Sequence, residues 1–510
     1  MNRLVTYIGL LISSLLLFGA CIDDQGNYDY TNPESLLPVQ IEGLPTDITI
    51  LKGETLQLSP TIINDNPSRY TYSWYIMDYE AAGSLPRQWD LSEEKDLVWT
   101  ANLDAARYRL NFRIYDRELE LYTRHEITVS ISAAPMTTGW YILKDNGSET
   151  DIDYIGLKAE RYNDILAGYG STIPGRAVMM AYQPSRYYHT ITNEDGTVTT
   201  KSNLSVYYFL TSEDIRTYDA KDFTLYKKYE DQFYALPETC RPQHILFQSS
   251  GSNTYIINNG KLHKIYGMSP NIGKFSAPYT GFYELTDCLV PYTRSNRMVF
   301  DQSTRSFFQI SVNGTNLTPI EKAANENDTI SLQNTNYEIL CTGANETENI
   351  GTVILKSTTE DSYYLLQESS VYDPATWTYQ IVWNTVASID ETSHLRKANL
   401  IAQSKATFFY FSLKDKVYSY VHSEGTPLEN RERERLSFPG EEITYMAYIS
   451  NLELADEINT EALAVLTSQD GNWKLRVYSL PGESTPDLNT TPILEYEGTG
   501  LARYLLYRAS

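Results

Sequence analysis

Ala398-Asn399-Leu400-Ile401-Ala402-Gln403, Thr407-Phe408-Phe409-Tyr410-Phe411-Ser412-Leu413 and Lys416-Val417-Tyr418-Ser419-Tyr420-Val421 follow one another in the chain, with Lys414-Asp415 between the last two. Each run is short and rich in β-branched or aromatic residues, and polar turn residues bound it. This is the signature of strands joined by tight turns. The central run is apolar on both alternating faces, as a strand covered on both sides must be. The passage reads as a triplet of inner, middle and outer strands.

The triplet recurs. One copy is Ile245 to Gln248, Thr254 to Asn258 and Leu262 to Tyr266, with Asn259-Gly260 at the second turn. Another is Tyr337 to Cys341, Thr352 to Lys356 and Ser362 to Gln367. A further copy is Ile443 to Ile449, Ala462 to Thr467 and Trp473 to Leu480, turning at Asp470-Gly471. Asn-Gly and Asp-Gly between apolar runs are strong hairpin signals. Looser copies run through Ala177 to Tyr182, Ser205 to Leu210 and Ile215 to Tyr218, and through Cys288 to Tyr292, Met298 to Phe300 and Ser306 to Ile310. The middle strands recur about every 45 to 65 residues, a spacing that suits propeller blades better than solenoid repeats.

Trp140 to Lys144 and Ile152 to Leu157 supply a middle and an outer strand with no inner strand before them. Leu501 to Arg508, at the end of the chain, has the pattern of that missing strand. Pairing it beside Trp140 closes a ring and leaves no open strand edge. The expectation for residues 139–510 is therefore a β-propeller of seven blades closed by the C-terminal strand, with six or eight blades as the alternatives. An elongated stack of β-sandwiches is the competing arrangement.

Residues 39–133 read as a separate β-sandwich. The strands expected are Ile48 to Leu51, Thr55 to Leu58, Tyr70 to Met77, Leu97 to Thr100, Tyr108 to Tyr115 and Ile127 to Ile131. Turn signals every ten or so residues fit an immunoglobulin-like sandwich. Trp74 is expected in its core. Ala134 to Gly139 forms the boundary between this sandwich and the repeating region.

The N-terminus carries an address. Arg3 precedes an apolar run, Leu4 to Phe18, too short for a comfortable membrane span. Gly19-Ala20-Cys21 closes it and resembles a bacterial lipobox, which makes Cys21 a lipidation site and residues 1–20 its signal peptide. An ordinary secretory signal with a chance cysteine is the alternative. Asp23 and Asp24 follow at once and are similar to a surface-export signal, or else belong to a solvated linker over residues 21–38.

These pieces together resemble the PKD-like family lipoproteins of Bacteroidota. The resemblance is carried by Cys21, by Asp23-Asp24-Gln25-Gly26-Asn27-Tyr28-Asp29-Tyr30, by Ala106 to Asp116 with its terminal Asp before a hairpin, and by Gly139-Trp140-Tyr141-Ile142-Leu143. It implies a PKD-like sandwich and a place beside SusC/SusD-like nutrient importers, with capture of a glycan or peptide at the cell surface. It supplies no catalytic residue.

Composition narrows the partners. Of 510 residues, 65 are Asp or Glu and 41 Lys or Arg, for a net charge of −24. An acidic body disfavours nucleic acid, whose phosphates need a basic surface. It also disfavours a peripheral grip on anionic lipid, so membrane attachment is expected through the covalent lipid. The 42 tyrosines suit strands with one buried edge and a wet hydroxyl. Cys240, Cys288 and Cys341 show no CxxC spacing; buried thiols fit them, and one disulfide stays open.

No specific enzyme motif is present. The six histidines, His125, His189, His244, His263, His394 and His422, form no HExxH or HxH pair. There is no GxSxG elbow and no P-loop. No catalytic residue, metal ligand or cofactor is assigned. Carbohydrate-binding candidates are aromatic: Tyr372 and Trp377 in a turn-rich stretch, and Tyr187 and Tyr188 in a long insertion between an inner and a middle strand. Ordinary packing is the competing reading for each. Glu429 to Arg435 reads as a solvated loop. The expected function is a lipid-anchored outer-membrane binding protein facing the exterior. A lipid-anchored propeller glycoside hydrolase or lyase is the alternative, and a docking platform for another surface protein a third.

Overall fold

The computed structural model describes residues 39–509, apart from 64, 80–85, 133–135, 193–195, 248–252, 268–272, 288–289, 293–296, 311–314, 346, 376–377, 423–426, 455–459 and 483–484. Residues 1–38, on which the expected signal peptide, linker, Cys21, Asp23 and Asp24 fall, lie outside the described residues, as do Trp377 and Cys288. The described fold is all-β, with only single-turn helices. No described helix is long and apolar enough to cross a membrane. Among the described residues two compact units emerge, one within 39–46, 57–97 and 109–128, the other within 47–56, 98–108 and 129–509.

All six strands expected before residue 133 form. Gln88–Ser92 is added, pairing with Tyr70–Asp78. Its sequence, Gln-Trp-Asp-Leu-Ser, alternates polar and apolar residues as a half-buried strand does, a five-residue signal not among the six strands expected. Trp74 is fully buried. It stacks on Phe112 with centroids 4.4 Å apart, and its indole N–H donates to the Lys95 carbonyl. Asp116, which ends its strand, accepts a two-pronged bond from Arg69 at 2.6 and 2.8 Å and the N–H groups of Glu118 and Leu119. The Arg69 guanidinium holds its carboxyl down at about 2. The terminal Asp thus fastens the hairpin it precedes.

From Gly139 on, seven antiparallel sheets of three or more strands follow among the described residues, with a two-stranded sheet, Lys322–Ala324 against Thr329–Ser331, between the fourth and the fifth. Their inner strands are Leu501–Arg508, Ala177–Thr192, Pro242–Phe247, Val290–Tyr292, Tyr337–Asn345, Ile401–Lys405 and Glu442–Leu452. Within each sheet the remaining strands lie side by side in chain order. Middle strands are covered on both faces: Val206, Tyr207, Tyr208, Phe209 and Leu210 are all fully buried. The tight turns follow their chemistry. Asn259 and Gly260 have φ of 48° and 70°, and Asp470 and Gly471 have 51° and 78°, the left-handed pairs that a two-residue hairpin requires.

Three sequence expectations change. Fourth strands, poorly marked in sequence, are present in six of the seven sheets, as in Leu494–Thr499 and Thr378–Ser388. Glu429 to Arg435 is not a loop: Leu428–Arg431 is a helical turn, and Glu432–Ser437 is a strand paired with Lys416–Val421. An outer strand needs only one covered face, so its Glu and Arg residues alternate with the buried Glu432 and Leu436. The insertion after Tyr182 is a long two-stranded hairpin, Ala177–Thr192 against Val198–Thr211.

The C-terminal strand pairs where the sequence placed it. Leu501–Arg508 runs antiparallel to Gly139–Asp145, with Trp140 opposite Tyr507. A side-chain relay reinforces it. The Arg508 guanidinium donates to the Tyr207 hydroxyl at 2.6 Å, and that hydroxyl donates to Tyr141 at 2.6 Å. Tyr141 donates to the Thr137 carbonyl. Arg508 also lies 4.1 Å from the Tyr182 ring centroid. The relay ties the last strand to the first and second sheets. Arg508→Ala removes a charged donor from buried hydroxyls and is expected to cost about 1.5–3 kcal/mol, read as a lower urea midpoint with an unchanged slope.

Candidate functional site: a cavity between the inner strands

The inner strands run in the same direction, and bonds between neighbouring sheets show it. Gln183 donates to Thr254, which pairs with Phe247. Thr352, paired with Gly343, donates to Gln403, and Asn345 donates to the Ser404 carbonyl. Lys405 meets Glu461, beside the residue that pairs with Ile449. Arg508 meets Tyr207, the partner of Tyr182. Early positions therefore face early positions, and late ones face late ones.

Between these strands lies a cavity of about 750 Å³. That is within the usual range of small-molecule pockets, roughly 300–1,000 Å³. Tyr182, Phe247, Gln403 and Tyr448 line its late end, and His244, Asp287 and Asn399 its early end. Met180, Met446, Ala447 and Leu506 lie in its wall. Tyr445 and Tyr504 pack with centroids 4.6 Å apart and also face it. Among the described lining residues there is one carboxylate, Asp287, and one imidazole, His244. Asp287 is exposed to the cavity and accepts a 2.6 Å bond from Gln243. Burial raises the Tyr445 and Tyr448 hydroxyls above their ordinary range, so both stay neutral near pH 7.

The aromatic residues singled out in the sequence lie elsewhere. Tyr187 is 2% exposed and sits in the core. The Tyr226 ring lies parallel to it at 6.1 Å, Tyr208 meets it edge-on at 6.2 Å, and Lys227 Nζ is 5.3 Å from its centre. Tyr188 is half-buried on the same hairpin. Tyr372 is 43% exposed near the tip of the hairpin Tyr363–Asp373 and Thr378–Ser388. Both hairpins project at the late end, but Tyr187, Tyr188 and Tyr372 do not line the cavity. The lining aromatics were visible as the late residues of the inner runs. Their convergence needed the fold. Cys240 and Cys341 form no disulfide among the described residues, and Cys341 lines the cavity wall. No group of three or more His, Cys, Asp or Glu side chains fit to hold a metal occurs among the described residues.

Residues 21–184 match the PKD-like family. The match takes in the N-terminal strands and reaches into the second sheet of the larger unit. No curated protein matches the chain. Among solved structures, a quinonprotein alcohol dehydrogenase-like protein from Bacteroides thetaiotaomicron is 14% identical, with 92% of this chain and 99% of that one covered at a TM-score of 0.48. Hsv2 from Kluyveromyces lactis is 12% identical over 59% of this chain and 74% of its own, at 0.30. A eukaryotic initiation factor is 9% identical over 85% and 97%, at 0.29. None of these three reaches 0.5.

Lys227, beside Tyr187, yields a pH test. Burial, then the charge of Lys274, pulls its ammonium down to about 7, while its Nζ donates to the Gly273 carbonyl at 2.6 Å. An unfolded lysine titrates near 10.4. Between about pH 7 and 10 the unfolded chain binds the extra proton, so native stability rises with pH across that window. Lys227→Met is expected to remove this rise. Relative to the unaltered protein, the variant should gain melting temperature at pH 7 and lose that advantage by pH 10.

Proposed function

We propose that this is a lipid-anchored surface protein whose seven sheets form a β-propeller, with the central cavity as its ligand site. In this reading Cys21 carries the lipid, and Asp23 and Asp24 direct the protein to the exterior of the outer membrane. It captures a glycan or peptide nutrient there, beside a SusC/SusD-like importer. The propeller is supported by three features: successive sheets in one order, inner strands running in one direction, and a last strand that completes the first sheet.

The observation that carries the binding role is the cavity itself. It is large enough for a small molecule, with aromatic side chains at both levels and His244, Asp287 and Asn399 gathered at the early end. Such a lining buries an apolar body and leaves a few polar groups to orient it. A hydrolase or lyase is the second reading. A glycosidase uses two carboxylates about 5 to 10 Å apart, and the described lining supplies Asp287.

Calorimetry of the purified protein against polysaccharides, oligosaccharides and peptides, with mass spectrometry of each mixture, tests the assignment. Heat with unchanged ligand is expected. Ala344 is exposed and lines the cavity, so Ala344→Trp should obstruct it without unfolding the chain and weaken binding at least about tenfold, or about 1.4 kcal/mol. Cleaved product would replace the binding reading with the enzyme. The anchor has its own test: Cys21→Ser is expected to abolish fatty-acid labelling and to release the protein from the membrane fraction. Retained label would refute lipidation at Cys21.

A further inference from the structure

We infer that the cavity takes a short peptide, bound with its free amino terminus at Asp287 and an apolar or aromatic side chain at the opposite end. This rests on the cavity being the ligand site and narrows the class of ligand.

Length is the first argument. The late level is set by Tyr182, Phe247 and Tyr448, and the early level by Met179, His244 and Tyr445. Three residues of strand separate them on each of these inner strands. At about 3.3 Å per residue the lining spans roughly 10 Å, which an extended tripeptide fills.

The second argument is the wall between the two ends. Its partly exposed apolar side chains include Leu340 and Leu506, with Met179 at the early level. An unbranched thioether fits irregular apolar groups. Each inner strand is also the edge of its sheet, paired on one side only among the described residues. Edge strands present backbone N–H and C=O groups. Apolar side chains beside such groups match a peptide, which offers both along one chain. A pyranose carries hydroxyls around its whole ring, and those that face apolar side chains such as Leu340 and Leu506 rather than the strand edges would be left without partners.

Charge fixes the direction. Asp287 is the carboxylate of the described lining, and it lies at the early end with His244 and Asn399. Gln243 donates to one of its oxygens, Oδ1. A carboxylate has two oxygens and accepts several bonds, so Asp287 keeps capacity for an ammonium group. The net charge of −24 favours the approach of a cation over an anion. The late end, with Tyr182, Phe247 and Tyr448, is left for the apolar side chain.

The test uses the full chain and three probes: a tripeptide amide of phenylalanine, alanine and tyrosine, its N-acetyl form, and maltotriose. The free-amine peptide is expected to bind. Acetylation should weaken it about tenfold or more, the scale of a charge-assisted hydrogen bond. Asp287→Asn should erase that discrimination while the melting temperature holds. Ala344→Trp should reduce binding of both peptides. Equal affinity for the free and acetylated peptides overturns the amino-terminal anchor. Maltotriose bound in preference, and blocked by Ala344→Trp, overturns the peptide and leaves the cavity reading standing. If no probe binds in a way that Ala344→Trp abolishes, the cavity reading fails and this inference fails with it.

Discussion

The larger unit depends on one strand pairing, Leu501–Arg508 against Gly139–Asp145. Without it the first sheet lacks its inner strand. The fully buried Gly139–Asp145 would then present an open edge, with unpaired backbone groups and the side chains of Trp140 and Ile142 uncovered. The Arg508–Tyr207–Tyr141 relay adds direction to this pairing. Buried hydroxyls are costly unless bonded, and the relay gives each of them a partner. It also extends from the first sheet into the second, so pairing within one sheet and packing between two sheets are fixed together.

The same arrangement produces the cavity. Strands that start at one level and run one way bring residues of equal depth to one level. Side-chain chemistry that is scattered along several hundred residues of sequence becomes ordered by depth. His244 lies in one inner strand and Asp287 in the bend before the next, Val290–Tyr292, yet they share a level, linked through Gln243. Tyr445 and Tyr504 come from the seventh and first sheets and pack on each other. Polarity along the axis follows from where each inner run places its aromatic residue.

Much of this was legible in the sequence. Lys416–Val421 and Leu501–Arg508 begin and end where their apolar pattern does. Asn259-Gly260 and Asp470-Gly471 turn as their residue types require. Outer strands were harder to see. Leu225–Lys227 has three residues, and Glu432–Ser437 is mostly charged, because a strand at a sheet's rim needs little apolar surface. For Tyr187 the sequence left ordinary packing beside a binding role: it lies among polar neighbours, and Tyr208 and Tyr226, 21 and 39 residues further on, bury it. The cavity was invisible for a different cause. Its lining residues are ordinary strand residues until seven sheets place them face to face.

Order of synthesis adds a consequence of the terminal pairing. Tyr207 precedes its partner Arg508 by 301 residues. At typical synthesis rates that gap is roughly 15 to 60 seconds. Wherever the chain folds as it emerges, the intervening sheets can form while the first still lacks its inner strand. Such long-range contacts also slow folding, because loop closure comes before its reward. The strand Leu501–Arg508 therefore acts as a completion signal: until it pairs, the rest of the unit carries an adhesive edge, and only chains that extend through it can lose that edge.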